Sequence, residues 1–342
     1  LLDGFGNPLR HQDWGYISDK DQLAVPSLMV DTWYDYGVGY SVQLNQKIAD
    51  SGVPNHLLIA PGTHCDTGGP FAYGFVGDVP VAQSGSLDFD QIYLNFMNHH
   101  LRGDKNFELP AFQAYLLKED RWLKTEQWPP ASAEEQTFYL DGTALLAAKN
   151  DGKSQRSFLS DPMSPVPTLG GAICCTGDPQ SRSGPLHQNG IEGRDDLLVY
   201  TSDPLQNVLR IVGSVSAKLF VSTDVPDTDI VVRLTDVAPD GTSTMIQEGA
   251  LRLRYRDGFA NPVMMDSGVI YEFEVKLRDI AYSIAQGHRL RAHIAGSSFP
   301  GLARNLNGGG DPNRETEPFI ANIRVHSGQE QPSSITVFTL PE

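Results

Sequence analysis

Cysteine is nearly absent. The 342 residues contain three, Cys65, Cys174 and Cys175, and the last two are adjacent, which excludes a disulfide scaffold at this size. No Cys-x-x-Cys pair occurs, so nothing suggests zinc. Basic residues are also scarce: 26 Lys and Arg face 42 Asp and Glu, for a formal net charge of −16. They are not clustered, and a nucleic-acid partner is excluded on that ground. The acidity reads as solubility. No apolar run approaches the length of a membrane helix, so no membrane partner is expected. The start, Leu1-Leu2-Asp3, shows neither an initiator methionine nor a signal peptide, and the chain reads as the middle of a longer protein.

What is present is ordinary globular material. Hydrophobic residues make up 40% and charged residues 20%, and the length suits about two domains. Residues 1–24 are polar and mixed and read as a helical or irregular approach. Val25 to Asp31 is a near-continuous apolar run, as expected of a strand buried on both faces. Thr32-Trp33-Tyr34-Asp35 carries it into a turn. Residues 40–49 have the spacing of an amphipathic helix with Val42, Leu44 and Ile48 inward, and Ser51-Gly52-Val53-Pro54 stops it. Residues 56–60 are the next strand, parallel to the first because a helix separates them.

Residues 65–86 are a long Gly/Pro-rich loop. Residues 88–101 form a helix with Phe89, Ile92, Tyr93, Phe96 and Met97 at helical spacing, Asp88 as N-cap and Gly103 as stop. Its His99-His100 pair points in two directions and suits solvation or packing better than a metal. Residues 110–118 give one more strand. Trp128-Pro129-Pro130 marks a boundary. Beyond it short strands recur between turns: 136–140, 196–200, 208–222, 229–237, 246–255, 269–277, 289–296, 319–326 and 334–340. That spacing reads as a β-sandwich, a jelly roll, interrupted by a loop-rich excursion over 142–195.

The chemistry lies at the tips of the first two strands. Asp35 follows one and His64, after Ala60-Pro61-Gly62-Thr63, follows the other. In an open α/β sheet the C-terminal strand edge is where ligands bind. A histidine accepts a nucleophile's proton near neutral pH, and a carboxylate behind it fixes its tautomer and stabilises the imidazolium. Asp then His is the second half of a Ser…Asp…His order. Asp31 and Asp66 are alternative orienting acids, though Asp35, past the strand end, is best placed to reach across. Read blandly, Asp35 is a turn-former and His64 a loop histidine. Cys65, a neighbour on extended chain, points away from His64 and reads as a small packed thiol. The nucleophile elbow Gly-x-Ser-x-Gly occurs nowhere. The nearest match, Gly241-Thr242-Ser243-Thr244-Met245, lies in the β-rich half, and only Ser18 and Ser27 precede Asp35. The order therefore places the serine outside the chain.

Val25-Pro26-Ser27-Leu28…Thr32-Trp33-Tyr34-Asp35 and Leu58-Ile59-Ala60-Pro61-Gly62-Thr63-His64 resemble the Asp and His segments of the CocE/NonD acyl hydrolases, which belong with the X-Pro dipeptidyl-peptidases. Leu253-Arg254-Tyr255-Arg256-Asp257-Gly258, Gly287-His288-Arg289-Leu290-Arg291 and Arg304-Asn305-Leu306-Asn307 are similar to that family's C-terminal β domain. The resemblance covers essentially the whole chain.

It implies the end of a cap region at 1–24, the C-terminal part of an α/β-hydrolase domain at 25–130 and a jelly-roll β-sandwich at 131–342. It implies a serine acyl hydrolase acting on a small-molecule or peptide ester or amide through an acyl-enzyme. Asp35 and His64 take the family's acid and base positions. Trp33 and Tyr36 beside them are candidate substrate-binding residues, and Arg304 and Asn305 either contact the hydrolase part or form a salt bridge within the sandwich. The serine would come from a missing N-terminal segment or a second polypeptide. No cofactor or metal is implied. The departures, Thr32 before Trp33, Tyr36 directly after Asp35, and Ala60-Pro61-Gly62-Thr63 before His64, bear on the substrate more than on the triad. The alternative is a non-catalytic β-sandwich binding module with a vestigial hydrolase part.

Overall fold

The computed structural model describes residues 21–105, 107–149, 152–174, 181–260 and 262–341. Residues 1–20 of the expected approach segment, with Ser18, and Cys175 lie outside them. The first part is built on a sheet of four strands. β1 (Ser27–Tyr34) leads through α1 (Val38–Asp50) to β2 (Asn55–Thr63), and the two strands pair in parallel. Next come a five-residue α2 (Gly69–Tyr73), a small hairpin of β3 (Phe75–Val76) and β4 (Val79–Pro80), and α3 (Phe89–Arg102). β5 (Phe112–Leu116) pairs in parallel with β2, and β6 (Arg121–Thr125) pairs antiparallel with β5.

The parallel core follows from composition. Leu57, Leu58, Ile59 and Ala60 of β2 are fully buried, so β2 has apolar neighbours on both faces. In α3 the expected caps form: Asp88 accepts from the Gln91 amide at 2.9 Å and Gly103 closes the helix at φ 76°. Of the five apolar residues at helical spacing only Phe96 is buried; Tyr93 and Met97 are exposed, as are Leu94 and Leu101. β6 was not legible as a separate strand. Lys118 and Asp120 adopt left-handed φ values of 72° and 52°, which reverse the chain inside a sequence that reads as one strand and its tail.

Beyond the Trp128-Pro129-Pro130 boundary the chain is almost all β. Its strands are β7 (Glu134–Asp141), β8 (Ala144–Leu146), β9 (Lys153–Ser160), β10 (Leu197–Thr201), β11 (Leu209–Gly213), β12 (Ser216–Thr223) and β13 (Asp229–Val237). They continue as β14 (Ser243–Arg252), β15 (Tyr271–Lys276), β16 (Ile280–Ile284), β17 (Arg289–Ala295), β18 (Ala321–Gly328) and β19 (Ser334–Leu340). One path of pairing runs β14-β13-β17-β10-β8-β7-β19-β12-β18-β9, with β11 and β15 attached to β19 and β12, and β16 on β11. The expected loop over 142–195 thus contains two strands and a short α4 (Asn189–Glu192). The expected strand 208–222 is two. Gly213 breaks it at φ 107°, where a Cβ would lie 2.6 Å from the Pro129 ring.

The two parts share one continuous apolar core that includes Trp33, Tyr115 and Trp128 together with Ile211, Ile246 and Tyr282. Backbone bonds cross the junction: Leu117 N–H donates to Ala281 O and Ser283 N–H to Leu117 O, both at 3.0 Å. Side chains cross it too. Tyr34 Oη donates to Ile246 O at 3.1 Å, and Trp128 Nε1 donates to Asp279 Oδ1 at 3.0 Å.

Burial raises the Asp279 carboxyl to about 6, only partly offset by the Trp128 bond. A carboxyl raised in the folded chain favours the folded state below its unfolded value near 3.8, and that contribution is lost as pH rises to about 6. Asp279→Asn keeps the acceptor for Trp128 and removes the charge. It is expected to raise the melting temperature at pH 8 and to give little gain at pH 4. A gain independent of pH, or a loss at pH 8, would contradict this.

Candidate active site

β1 and β2 end side by side, and their last register step positions the chemistry. Thr32 faces Ala60, but Tyr34 faces Thr63, so β2 holds one residue more than β1 over this step. The extra residue falls at Pro61-Gly62. Proline has no N–H to lose from the ladder, and glycine leaves room for what packs there. A Cβ on Gly62 would lie 2.0 Å from the Asp66 carbonyl oxygen and 2.7 Å from the Thr32 methyl. The bulge therefore sets His64 opposite Asp35, and bulges beside sites often re-aim a side chain in this way.

His64 Nδ1 and Asp35 Oδ2 are 2.6 Å apart. The other carboxylate oxygen, Asp35 Oδ1, accepts from the Gly37 amide at 2.7 Å, and the Asp35 amide donates to Thr32 O at 3.1 Å. The carboxylate is thus held at both oxygens. Because a carboxylate only accepts, Nδ1 carries the proton, and the Nε2 of a neutral ring keeps its lone pair. Nε2 has no partner among the described residues. The His64 side chain is 25% exposed and that of Asp35 14%, enough for one face of the ring to meet a reactant.

The two alternative acids are otherwise engaged. Asp31 Oδ2 accepts from Ser41 Oγ at 2.5 Å and Oδ1 from the Thr32 amide at 2.7 Å. Burial pushes its carboxyl above the ordinary aspartate value, the two bonds opposing. Asp66 Oδ1 accepts from the Gly69 amide at 2.8 Å, shaping the turn into α2. Of the three candidates, the fold brings Asp35 alone to His64. Cys65 takes φ 59° and is exposed, so the expectation of a packed thiol is corrected: the left-handed turn after His64 leaves it at the surface.

The two candidate substrate-binding residues differ. Tyr36 is 54% exposed, and its ring centroid lies 4.8 Å from that of His64 at 35°. Trp33 is fully buried. Its indole N–H donates to Tyr115 O at 2.7 Å, and its ring lies 5.6 Å from Trp128, itself stacked on Phe112. The expectation that Trp33 binds substrate is therefore corrected: the end of β1 is buried on both faces, and Trp33 packs in the shared core.

The β-domain motifs also face inward. Asn305 Nδ2 donates to Asp227 Oδ2 and Asp229 Oδ1, both at 2.8 Å, and these two carboxylates also pair with Arg254 and Arg252. Arg304 donates to Pro162 O at 3.0 Å and lies over the Phe299 ring. Among the described residues the ties given for both lie within the β region, the second of the two expected readings. The junction instead uses Tyr34, Gln247, Trp128 and Glu119, the last bonded to Arg210 and Ser283 at 2.5 and 2.9 Å. Sequence patterns gave no sign of these contacts, because each pairs residues tens to hundreds of positions apart. His288 Nδ1 meets Asp236 Oδ1 at 2.7 Å, and Glu192 is lowered to about 2 by bonds from His293, Ser243 and Arg291 that outweigh its burial. His99 Nδ1 bonds the Asp104 carbonyl, and among the described residues no group of three or more ligand side chains could hold a metal.

Comparison with known proteins adds the following. Residues 106–336 match the model of the X-Pro dipeptidyl-peptidase C-terminal non-catalytic domain. Cocaine esterase of Rhodococcus sp. (strain MB1 Bresler) is 31% identical over 352 residues, covering 97% of this chain and 60% of that protein. An aminopeptidase of a marine-sediment Thaumarchaeota archaeon superposes with a TM-score of 0.84 at 23% identity, covering 94% of this chain and 56% of that one. An α-amino acid ester hydrolase superposes with 0.80 at 22% identity and the same coverages. The last two show likeness of fold. The chain spans about 60% of the length of the curated relative.

The tight fit at Gly62 gives a test. Gly62→Ala must displace the Asp66 backbone and with it the turn that carries His64. It is expected to lower the melting temperature by several degrees and to shift the His64 imidazole resonances. Unchanged stability with unchanged His64 resonances would show that the bulge does not hold the histidine.

Proposed function

Since the chain belongs to the X-Pro dipeptidyl-peptidase C-terminal domain family and is a CocE/NonD-type C-terminal portion, we propose that it supplies the acid and base of a serine acyl hydrolase. The 2.6 Å contact between His64 Nδ1 and Asp35 carries the reading. In the reaction His64 Nε2 takes the proton of a serine as its oxygen attacks an ester or amide carbonyl. Asp35 stabilises the imidazolium that forms. The imidazolium then protonates the leaving alcohol or amine, leaving an acyl-enzyme. Water, deprotonated by the same nitrogen, releases the acid. The names of the relatives, an esterase, an amino acid ester hydrolase and an aminopeptidase, support both esters and amides as substrate classes.

No serine elbow occurs in the 342 residues, so the nucleophile comes from a segment or polypeptide beyond them, and these residues alone do not turn over. Two features support further structure packed on this part of the chain. β1 is the edge strand, with no second partner among the described residues. The apolar side chains Tyr93, Leu94, Met97 and Leu101 of α3 are uncovered. We read residues 25–130 as the C-terminal part of an α/β-hydrolase domain and the thirteen β strands that follow as a jelly-roll sandwich backing it.

The second reading, a non-catalytic β-sandwich binding module with a vestigial hydrolase part, draws on the name of the matched domain. That match begins at residue 106, beyond both Asp35 and His64.

In the complete enzyme, His64→Ala and Asp35→Asn are each expected to lower kcat for a chromogenic ester on the order of 10³-fold or more, with KM little changed. A serine-directed fluorophosphonate should label the complete enzyme and react far more slowly with both variants. Near-wild-type turnover by His64→Ala would defeat the proposal. Glycan binding with no fluorophosphonate labelling would favour the binding module.

A further inference from the structure

A cleft of about 580 Å³ lies where the two parts of the chain meet. Tyr36 and Tyr40 line it from one part, and Leu251, Leu277 and Arg278 from the other. Tyr36 is the residue whose ring rests against His64, so the cleft adjoins the edge where the chemistry is placed.

Arg278 is the unusual group in that wall. It is half-buried, and one of its five N–H donors is accounted for, by the Glu248 carbonyl at 3.1 Å. Among the described residues no carboxylate forms an ion pair with it. Burial pulls its pKa below the ordinary arginine value, opposed by the negative charges of Glu248 and Asp35. The neighbouring charges are committed elsewhere. The Glu248 carboxylate is taken by Arg233 at 2.6 Å and Ser298 at 3.0 Å, and Asp279 accepts from Trp128. Arg256 donates to the carbonyls of Leu253, Val263 and Met264. Lys276 stands 80% exposed at the rim, 3.9 Å from Glu274. A partly desolvated cation with spare, planar donors is costly when unpaired and matches a carboxylate bidentately.

We propose that Arg278 is a specificity-determining residue that anchors a carboxylate of the substrate. The substrate is then an ester or amide that carries a free carboxylate, seated between Tyr36 and Arg278 with its scissile carbonyl toward His64. This rests on the reading of Asp35 and His64 as the catalytic pair.

Isothermal titration of the 342-residue chain with monomethyl glutarate, a carboxylate joined to a neutral ester, tests it without requiring turnover. Methyl butyrate is the uncharged control. Saturable binding of monomethyl glutarate is expected, weakened at least tenfold by Arg278→Gln and severalfold by Arg278→Lys. Methyl butyrate should bind wild type and both Arg278 variants alike. Arg278→Lys keeps the charge, so it carries the test if the glutamine variant does not fold. Absence of binding, equal affinity in wild type and variants, or equal loss for methyl butyrate would overturn the proposal. Loss of the catalytic reading alone would appear differently, as turnover by the complete enzyme that survives His64→Ala while carboxylate binding still depends on Arg278.

Discussion

Asp35 and His64 meet because β2 carries one residue more than β1 over the last step of their parallel pairing. With an even register His64 would stand one position further along, beside Tyr36, and the carboxylate would face Thr63. The displacement is absorbed at Pro61-Gly62, the pair with no ladder donor to lose at one residue and no Cβ to clash at the next. The Gly37 amide then fixes the far oxygen of the carboxylate. Orientation is built into the backbone before any reactant arrives, which is where much of the advantage of an active site lies.

That local arrangement is held by what lies behind it. Tyr34, the residue before Asp35, is fully buried and donates to a carbonyl of β14. Trp33, one position earlier, is wedged against Tyr115 and Trp128, and the side-chain amide of Gln247 donates to its carbonyl at 3.3 Å. The strand tip that carries Asp35 is therefore clamped from the β-rich part. Truncating a buried aromatic of this kind costs about 3–5 kcal/mol in other cores, a large share of an ordinary domain's stability. The β-rich part serves the site as backing, and in Arg278 it also presents a charged side chain to the cleft.

Much of this was legible in the sequence. β1, α1, β2 and α3 stand out because continuous apolar runs and helical spacing are local signals, and Asp88 and Gly103 mark their helix as caps do. The parallel pairing followed from the intervening helix, and the meeting of Asp35 and His64 followed from strand-tip position. What could not be read depended on distant neighbours. Nothing local distinguishes an exposed Trp33 from a buried one in a Trp-Tyr-Asp turn; its partner Trp128 is 95 residues away. β9 is polar over its first five residues and alternates only in burial, so in sequence it looks like loop. Gly213 hides a strand break that only the Pro129 ring explains. Arg278 sits in a charged turn, Lys276-Leu277-Arg278-Asp279, that reads as solvated surface until α1 is packed beside it.

The hydrogen bond between Asp35 and His64 is the centre of the account, and proton NMR of this chain reads it directly. A strongly deshielded imidazole Nδ1 proton is expected, lost in His64→Ala, moved sharply upfield or lost in Asp35→Asn, and unaffected by Asp66→Asn. A spectrum without that resonance, or one in which it responds to Asp66→Asn and ignores Asp35→Asn, would contradict the assignment of Asp35 as the acid that orients His64.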